Sequence, residues 1–582
     1  MKGFSIKAHP FSRFGGFAIG MSSWLHDLPI ILGGLGLFYA LLSVTRYWLS
    51  PASEHPDISL GASALPKYAM YSLLRMAFAY IISLLFSIGY GYLAAYNAKA
   101  EKLMIPLLDT LQSIPVLSFL PGVMVAMMAL VPTRELGIEL GSILLIFTGQ
   151  VWNMAFSFYA SLKAIPREMQ EVARIYRWSR WQRLMELELP FAAIGLVWNS
   201  MMSVAGGWFF LMACEMFVLG NRDLRLPGLG SYLQTAANEG DTGAIVMGLA
   251  TMIGVIVLLD QLVWRPVIAW AEKFKFEQVE ASEAPTSAVL NLIKKSRVIP
   301  LVSAAVFRPL RERLDLHFAK TQQEKEPVSV GARSGRWIAR LILVVALVVV
   351  VYAAARMILS LTGLRGSDLK SIAWGTGATF LRVEITLALA ALWTIPVGVA
   401  IGLHPKLSAI AQPIAQLAAS VPATALFPII MLALIRVRGG LGVGSIVLLL
   451  LGTQWYILFN VIAGAIAIPT DLKEVCNIYH FPTAERWREL LLPAIFPYLV
   501  TGLVTASGGA WNASIVAEYV HLKGQTFSTV GLGAIISNAT DRGDFSVLLA
   551  ATIVMATIVV TINRLLWRRL YVLASTKYKL ET

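Results

Sequence analysis

The sequence has little charge and little cysteine. Charged residues make up 14% of the 582 residues, against ~25% in ordinary soluble domains. The two cysteines, Cys214 and Cys476, form no spacing typical of a disulfide framework or a metal site. The seven histidines show no ligand spacing, and no nucleophile stands with a base. The sequence therefore predicts no catalytic site and no metal site.

The chain also lacks the G-x-x-x-x-G-K-[ST] motif with which P-loop proteins bind nucleotide phosphates. We therefore expect no cofactor in this chain, and any activity that depends on ATP requires a nucleotide site on a separate chain. No predicted external domain is large enough to capture a substrate.

Apolar runs fill most of the chain. Hydrophobic residues make up 57% of it, and the mean hydropathy is +0.68. Runs near the ~20 residues that a membrane-spanning helix needs recur from end to end, and a helix satisfies its own backbone polar groups in lipid. We predict an all-α polytopic membrane protein with twelve spans in two groups of six. The spans are Leu28–Leu49, Tyr71–Ala95, Met104–Val131, Leu140–Ala160, Ala193–Val218, Ile245–Trp264, Trp337–Leu361, Thr379–Leu403, Leu407–Leu434, Gly444–Ile466, Ile495–Val520 and Phe545–Trp567.

Basic residues and polar stretches divide the chain further. The net charge is +14, and Lys and Arg concentrate in alternate loops, which the positive-inside rule assigns to the cytoplasm. Topology rather than nucleic acid accounts for this charge, and both termini are predicted to be cytoplasmic. The predicted divisions are a tail at 1–27, a six-helix domain at 28–271, a linker at 272–336, a six-helix domain at 337–572 and a tail at 573–582. We interpret the linker as a connector that has room for a surface helix.

One polar stretch occurs twice. Glu171–Pro190, EVARIYRWSRWQRLMELELP, matches Glu474–Pro493, EVCNIYHFPTAERWRELLLP, at a constant offset of 303 residues. The match extends over both groups of spans, with an offset of 307 near Arg75 and Arg382. Two halves with equal numbers of spans insert the same way up, so we expect a pseudo-twofold axis along the membrane normal and a pathway at the seam. A duplicated scaffold without transport has the same pattern.

Local signals within the polar stretch predict two short helices at an angle. A helix begins near Pro166, and Ser179 followed by Gln182 has the spacing of a capping box. In the second copy Pro482 breaks the chain and Thr483 is a candidate cap. Pro190 and Pro493 are expected to mark the turn into the next span. A basic loop that merely obeys the positive-inside rule is the alternative, but it does not require matching apolar positions.

These segments resemble the EAA loop of permease subunits of binding-protein-dependent ABC importers, a coupling helix that docks on a cytoplasmic ATPase. Glu171 and Ala173 match the family pattern, as does Glu474, while Cys476 stands for the second Ala. The Gly position of the pattern is occupied by Arg177 and His480, and the run ends in Leu-Pro at Pro190 and Pro493. The resemblance implies that these eight residues form or orient the two ATPase-coupling surfaces.

The resemblance continues into the spans. Ser-x-Pro segments and the end of the fifth span with its Gly-Leu-Gly loop resemble nitrate, sulfonate and taurine-type permeases. The matched positions are Ser113, Pro115, Pro121 and Glu215 in the first half and Ser420, Pro422, Pro428 and Glu518 in the second. The resemblance implies the fused permease of an importer for a small anion such as nitrate, a sulfonate or bicarbonate, located in the bacterial inner membrane. The implied partners are two ATPase copies that bind ATP and Mg, an extracytoplasmic binding protein and lipids.

Each of these positions also has a simpler interpretation. The prolines either shape a pathway or are ordinary packing kinks. Glu215 and Glu518 either gate the pathway or cap the next loop at the interface. Arg75 and Arg382, near the outer end of the second span, either attract an entering anion or extend toward lipid headgroups.

Two other functions stay open at this point. A secondary transporter driven by an ion gradient also uses six-plus-six repeats, but it is expected to carry coupling charges deep in several spans. A membrane scaffold or receptor is expected to have tight helix packing and no continuous seam. Loss of uptake on mutation of the Ser-x-Pro segments would exclude the scaffold.

Overall fold

The computed structural model describes residues 57–131, 133–219, 222–274, 287–296, 298–309, 311–314, 361–436, 440–522 and 525–577, with a few single residues between 27 and 36 and between 344 and 359. The predicted first span of each half, Leu28–Leu49 and Trp337–Leu361, lies outside this part of the chain except for a few residues. The same holds for the N-terminal tail and for much of the linker.

Helices dominate the described residues. In the first half and linker they are α1 (Leu65–Tyr96), α2 (Ala98–Ser113), α3 (Leu120–Leu130), α4 (Arg134–Ala164), α5 (Arg167–Ile175), α6 (Arg180–Arg183), α7 (Leu189–Glu215), α8 (Leu229–Glu239), α9 (Thr242–Leu259), α10 (Arg265–Ala271), α11 (Ala288–Lys295) and α12 (Val298–Val302). In the second half they are α13 (Gly366–Leu403), α14 (Pro405–Ser420), α15 (Ala423–Arg436), α16 (Leu441–Ile466), α17 (Thr470–Ile478), α18 (Thr483–Glu485), α19 (Leu492–Ala517), α20 (Leu532–Arg542), α21 (Phe545–Ile562) and α22 (Arg568–Lys577).

The spans follow the predicted order. Within the described residues, eight helices are long and apolar enough to cross a membrane, and ten spans result if each of two bent helix pairs counts as one. They correspond to the second to sixth predicted spans of each half. The all-α, duplicated membrane fold is confirmed, whereas the total of twelve stays a prediction because the two further spans lie outside the described part.

The third span of each half is broken rather than merely kinked. The axes of α2 and the segment from Val116 to Leu130 differ by 84°, and those of α14 and α15 differ by 77°. Ile114 and Val421, the residues before Pro115 and Pro422, have extended backbone with ψ of 126° and 116°. A residue that precedes proline avoids the helical region because its backbone clashes with the proline ring. The Ser-x-Pro segments therefore lie at the two breaks.

The bent pair of each half packs against the other half. Leu120 of α3 lies in one buried cluster with Met555 of α21, and the Thr552 hydroxyl donates to a backbone carbonyl in the first bend at 3.1 Å. In the reciprocal arrangement, Met431 of α15 lies in one buried cluster with Met252 of α9. The seam between the halves is thus built from the third span of one half and the later spans of the other.

Short hairpins and helices follow the fifth span of each half, and the sequence analysis missed them. The strands are β1 (Val218–Leu219), β2 (Arg222–Asp223), β3 (Tyr519–Leu522) and β4 (Gln525–Ser528), paired antiparallel as β1–β2 and β3–β4. The short helices α8 and α20 come next, and each ends at a left-handed glycine, Gly240 or Gly543. The alternating aromatic and β-branched residues around Lys523-Gly524 were a usable signal for the longer hairpin.

Candidate functional site

The two predicted coupling helices, α5 and α17, end in the same turn. In the first, the Trp178 N–H donates to the Ala173 carbonyl at 3.0 Å and the Arg177 N–H donates to the Arg174 carbonyl at 3.0 Å. This pair of bonds defines a Schellman motif, in which the residue after the cap is left-handed and usually glycine. Arg177 has φ of 50°. The position where the EAA-loop pattern has glycine therefore has the left-handed backbone conformation typical of glycine, although arginine occupies it.

The second turn reproduces the first. Phe481 and His480 donate to the carbonyls of Cys476 and Asn477 at 3.0 Å and 3.2 Å, and His480 has φ of 49°. Arg177 and His480 are the only non-glycine residues with positive φ among the described residues. A left-handed side chain costs about 1–2 kcal/mol, so this bend is imposed by the surrounding structure in both halves.

The turn divides each coupling helix into a buried and an exposed face. Ala173 is buried with Trp178 in one cluster, and Cys476 is buried at the equivalent position. Ile175 and Tyr176 point outward and are 77% and 72% exposed. Their counterparts Ile478 and Tyr479 are 71% and 72% exposed. Val172 and Val475 are also exposed. Each half thus presents the same Val-Ile-Tyr triplet, which we call the coupling triplet, together with exposed Glu171 or Glu474.

The helix that follows the turn runs directly into the fifth span. The predicted capping box is confirmed, since the Gln182 N–H donates to Ser179 Oγ at 3.1 Å and the Ser179 N–H donates to Gln182 Oε1 at 2.9 Å. The predicted Thr483 cap is wrong, because Pro482 occupies the cap position and its side chain has no acceptor. Pro190 and Pro493 mark no turn, which corrects that prediction too.

Each of these prolines instead follows a π-helical segment, Leu184–Glu188 or Arg486–Leu491, and stands at the second position of α7 or α19. A π segment shifts the hydrogen-bond register, which lets a helix accept a proline that lacks an N–H. The first coupling surface is therefore connected to the outer end of the fifth span by one helix of 36 residues, Arg180–Glu215. At 1.5 Å per residue this helix is about 54 Å long.

A polar cluster around the buried Glu188 connects the inner end of this helix to the second span in the first half. Glu188 accepts from the Tyr96 hydroxyl at 2.6 Å and lies 2.7 Å from Nε of Arg183. Arg183 also donates to the Tyr96 oxygen at 2.6 Å, and its guanidinium lies over the Tyr96 ring. At the offsets of 307 and 303 residues, the second half has Leu403 and Leu491 in place of Tyr96 and Glu188. Because leucine can supply neither the hydroxyl nor the carboxylate, the second half cannot form this cluster.

A fully buried cluster holds the outer end of the helix. Glu215 accepts from the Ser72 hydroxyl at 2.7 Å and from the Gly230 N–H at 2.7 Å, and it forms an ion pair with Arg75. Arg75 also binds Glu139 through two donors, at 2.6 and 2.7 Å. Gly230 belongs to the first turn of α8, where exposed N–H groups and the helix dipole favour a carboxylate. We call this cluster the outer bracket.

The second half repeats the outer bracket with one difference. Glu518 accepts from the Thr379 hydroxyl at 2.8 Å and from the Gly533 N–H at 2.9 Å, and it pairs with Arg382. Arg382 donates to the Val530 carbonyl at 3.0 Å. The residue that corresponds to Glu139 is Gly442, so Arg382 has one carboxylate where Arg75 has two.

One position in each outer bracket has no room for a side chain and therefore requires glycine. A Cβ atom on Gly228 would lie 2.3 Å from the Glu215 carboxyl carbon, and one on Gly531 would lie 2.1 Å from a carboxylate oxygen of Glu518. Their φ values, 178° and −178°, are extended and open to any residue. The first glycine of each Gly-Leu-Gly loop therefore leaves the space that the carboxylate occupies.

These positions correct the expected role of the two arginines. Arg75 and Arg382 are buried and bound to carboxylates, so their guanidinium groups are not available to an anion arriving from solvent. Glu215 and Glu518 join the second span, the fifth span and the outer helix, and this geometry favours a structural role. Sequence reasoning missed the pairing, although an Arg and a Glu at the same end of two spans, present in both halves, was a signal for it.

The structure places the Ser-x-Pro residues at the breaks of the third spans. Pro115 and Pro422 are buried there, and the half-buried Ser420 hydroxyl donates to the Gln416 carbonyl at 2.8 Å. Pro121 is buried in the first turn of α3. The side chains of Ser113 and Pro428 lie outside the described part.

Tyr456 of α16 lies at the seam and was not singled out from the sequence. A Cβ atom on Gly206 of the other half would be 3.9 Å from the Tyr456 hydroxyl oxygen, and one on Gly509 would be 3.3 Å from the Tyr456 ring. The position equivalent to Tyr456 in the first half is Asn153. The two halves therefore contribute different groups to the seam.

Residues 87–263 and 394–571 each match the family model described as binding-protein-dependent transport system inner membrane component. Similar proteins include the bicarbonate transport system permease protein CmpB of Synechococcus elongatus, 29% identical over 210 residues, or 36% of this chain and 72% of that protein. The nitrate import permease protein NrtB of Leptolyngbya laminosa is 28% identical over 200 residues (34% and 68%). The taurine transport system permease protein TauC of Escherichia coli is 29% identical over 197 residues (33% and 68%). Each alignment covers about a third of the chain, which fits a chain that carries the matched domain twice.

Proposed function

The chain belongs to the family of binding-protein-dependent transport system inner membrane components, and from that premise we propose that it forms the membrane pathway of an ATP-driven importer. Both permease domains lie in one chain, so one molecule supplies both sides of the pathway. A permease of this family is not itself an enzyme. ATP and Mg are bound by two copies of a separate cytoplasmic ATPase, and substrate is delivered by a separate binding protein outside the membrane.

The duplicated coupling triplet is the observation that carries this proposal. Val172, Ile175 and Tyr176 are exposed and spaced as one helix face, and an exposed apolar patch of this kind is typical of a protein–protein interaction site. Their exposure agrees within six percentage points between the copies, and both follow from the same left-handed turn. Two docking surfaces with the same apolar triplet and the same turn on one chain fit two copies of one type of partner.

The long helix suggests how docking drives transport. Closure of the ATPase pair on ATP moves the two coupling surfaces together. Because each surface continues into a fifth span, the movement reaches the outer brackets and the seam, where the broken third spans separate the halves. The seam then opens alternately to the outside and to the cytoplasm, where both termini lie.

The substrate class is a small anion of the nitrate, sulfonate or bicarbonate type. The named substrates of the similar proteins, bicarbonate, nitrate and taurine, support this class. The buried and paired arginines supply no attracting site at the outer brackets, so anion selectivity is assigned to the seam and to the binding protein.

The test is co-purification of the tagged full chain from its native membrane. The wild type is expected to retain two copies of an ATPase, recognised by peptides that contain a P-loop motif. The fourfold variant Ile175→Ser/Tyr176→Ser/Ile478→Ser/Tyr479→Ser is expected to lose both copies at an unchanged membrane level. Tyr571→Ser, which changes an exposed tyrosine of α22, is the matched control and is expected to retain both.

Uptake of labelled nitrate, bicarbonate and taurine by the same cells tests the substrate class and the energy source. Uptake is expected to persist when a protonophore removes the ion gradient and cellular ATP is maintained. If uptake by the cells stops when the gradient is removed, and the purified chain retains no ATPase, the results would favour the secondary transporter instead.

A further inference from the structure

The two coupling surfaces share their apolar triplet but differ in charge. Arg174, Arg177 and Arg180 surround the first triplet, and all three are exposed. The equivalent residues of the second half are Asn477, His480 and Thr483. Each of three arginines is thus replaced by a residue that is neutral or weakly basic, while the backbone of the turn stays the same.

Three arginines of the first surface have no acidic partner within the described residues. Arg174, Arg177 and Arg180 form no ion pair with any residue in the described part of the chain. Arg174 and Arg177 line an open pocket of about 380 Å³ together with Arg183, Ala173 and Trp178. The unpaired Arg174 and Arg177 beside this open pocket favour an acidic group from outside, because each guanidinium presents several donors to a carboxylate.

The wider segments show the same contrast. Residues 167–183 contain five arginines against two glutamates, whereas residues 470–486 contain one lysine and one arginine against three acidic residues. The linker strengthens the difference, since Arg311 forms an ion pair with Glu186 next to the first surface. The first coupling surface is therefore positive, and the second is close to neutral.

We propose that the first coupling surface docks an acidic groove of its ATPase subunit and holds that subunit by charge as well as by apolar contact. The second surface holds its subunit by apolar contact alone. This proposal rests on the proposed function and adds the chemistry of the partner groove. Exposed charges at the rim of an interface govern the association rate and the salt dependence of binding, so the two docking sites differ in their response to salt.

The experiment measures each surface alone, on the full chain in lipid nanodiscs. The ATPase identified by co-purification is produced separately and titrated at 50 and 500 mM KCl. The first surface is isolated with Ile478→Ser/Tyr479→Ser and the second with Ile175→Ser/Tyr176→Ser. We expect the Kd of the first surface to rise about tenfold between the two salt concentrations, as exposed charges are screened, and that of the second to change by less than about twofold.

A triple variant tests the arginines directly. Arg174→Asn/Arg177→His/Arg180→Thr gives the first surface the residues that the same turn accommodates in the second half, which protects its folding. It is expected to remove the salt dependence and to weaken binding about tenfold at 50 mM KCl. Equal salt dependence of the two surfaces, or a triple variant that binds like the wild type, overturns the proposal.

Two further outcomes are separable from these. If the arginines serve the membrane surface, the triple variant reduces the affinity for vesicles with anionic lipid and leaves the ATPase affinity unchanged, and the proposal is wrong. If no P-loop ATPase co-purifies with the wild type in the first place, the proposed function itself fails.

Discussion

In the first half of the protein, polar contacts join both ends of the fifth span to the second span. In the second half, such contacts join the outer ends of these spans. In the first half, Glu188 binds Tyr96 and Arg183 at the inner end, and Glu215 binds Arg75 at the outer end. In the described part of the second half the outer pair recurs, as Glu518 with Arg382, whereas the inner positions are occupied by leucine. The duplicated fold therefore needs the outer bracket twice, while the inner cluster is a property of one half. Under the proposed mechanism, the fifth span of the first half is therefore expected to move less independently of its second span than the fifth span of the second half.

Removal of the bracket arginines should give the largest effect and separate the halves. Arg75→Met leaves two buried carboxylates without their cation, and Arg382→Met leaves one. Loss of one member of a buried ion pair costs about 3–5 kcal/mol, and we expect Arg75→Met at the upper end of that range and Arg382→Met at the lower. Thermal unfolding of the purified chain measures both, with Lys102→Met as an exposed control. A larger cost for Arg382→Met would contradict the count of carboxylates.

Filling the space beside each carboxylate should affect both halves alike. Gly228→Ala and Gly531→Ala place a methyl group against Glu215 and Glu518, and each should cost about 1.5–3 kcal/mol through lost hydrogen bonds to a charged group. Gly377→Ala is the control, because a Cβ atom there meets nothing within 4 Å. If the control destabilised the chain as much as the other two, the bracket would not explain the requirement for glycine.

Loss of the inner cluster should act on the first half only. Tyr96→Phe removes the hydroxyl that donates to Glu188 and accepts from Arg183, at a cost of about 1–1.5 kcal/mol. The second half has Leu403 at the equivalent position and no bond to lose. Hydrogen exchange in Arg180–Glu215 is expected to increase while exchange in Thr483–Ala517 stays unchanged. Tyr479→Phe, on an exposed tyrosine, should change neither, and an equal response of both helices would refute an inner tie specific to the first half.

The smallest effect is a gain and should be equal in the two halves. Arg177→Gly and His480→Gly relieve a left-handed side chain, and each should stabilise the chain by up to about 1 kcal/mol in the absence of ATPase. Arg177→Ala removes the same charge but keeps a Cβ atom at φ of 50°, so it should give no such gain. A gain from alanine would attribute the effect to charge instead of backbone strain.

Much of the fold was readable from the sequence because membrane spans and internal repeats are linear patterns. A run of apolar residues shows a span wherever it occurs, and the 303-residue offset aligns the halves without any structure. The capping box at Ser179 was readable for the same reason, since both partners lie within one helical turn. Thr483 was misassigned because Pro482 is the cap residue and Thr483 is already the first helical residue. The cap is the last residue with non-helical backbone, and the residue types alone do not show which residue that is.

By itself, the sequence determined the class of membrane protein, the duplication, the lack of a P-loop motif and the positions of the two repeated polar segments. Only the tertiary structure decided that Arg75 and Arg382 are bound to Glu215 and Glu518, that α7 continues the first coupling surface and that each broken span packs on the opposite half. The ion pairs and the packing of the broken spans join residues more than a hundred positions apart, such as Arg75 and Glu215. The physical reason is that a buried charge must find its partner in space, and no linear pattern records which distant residue provides it.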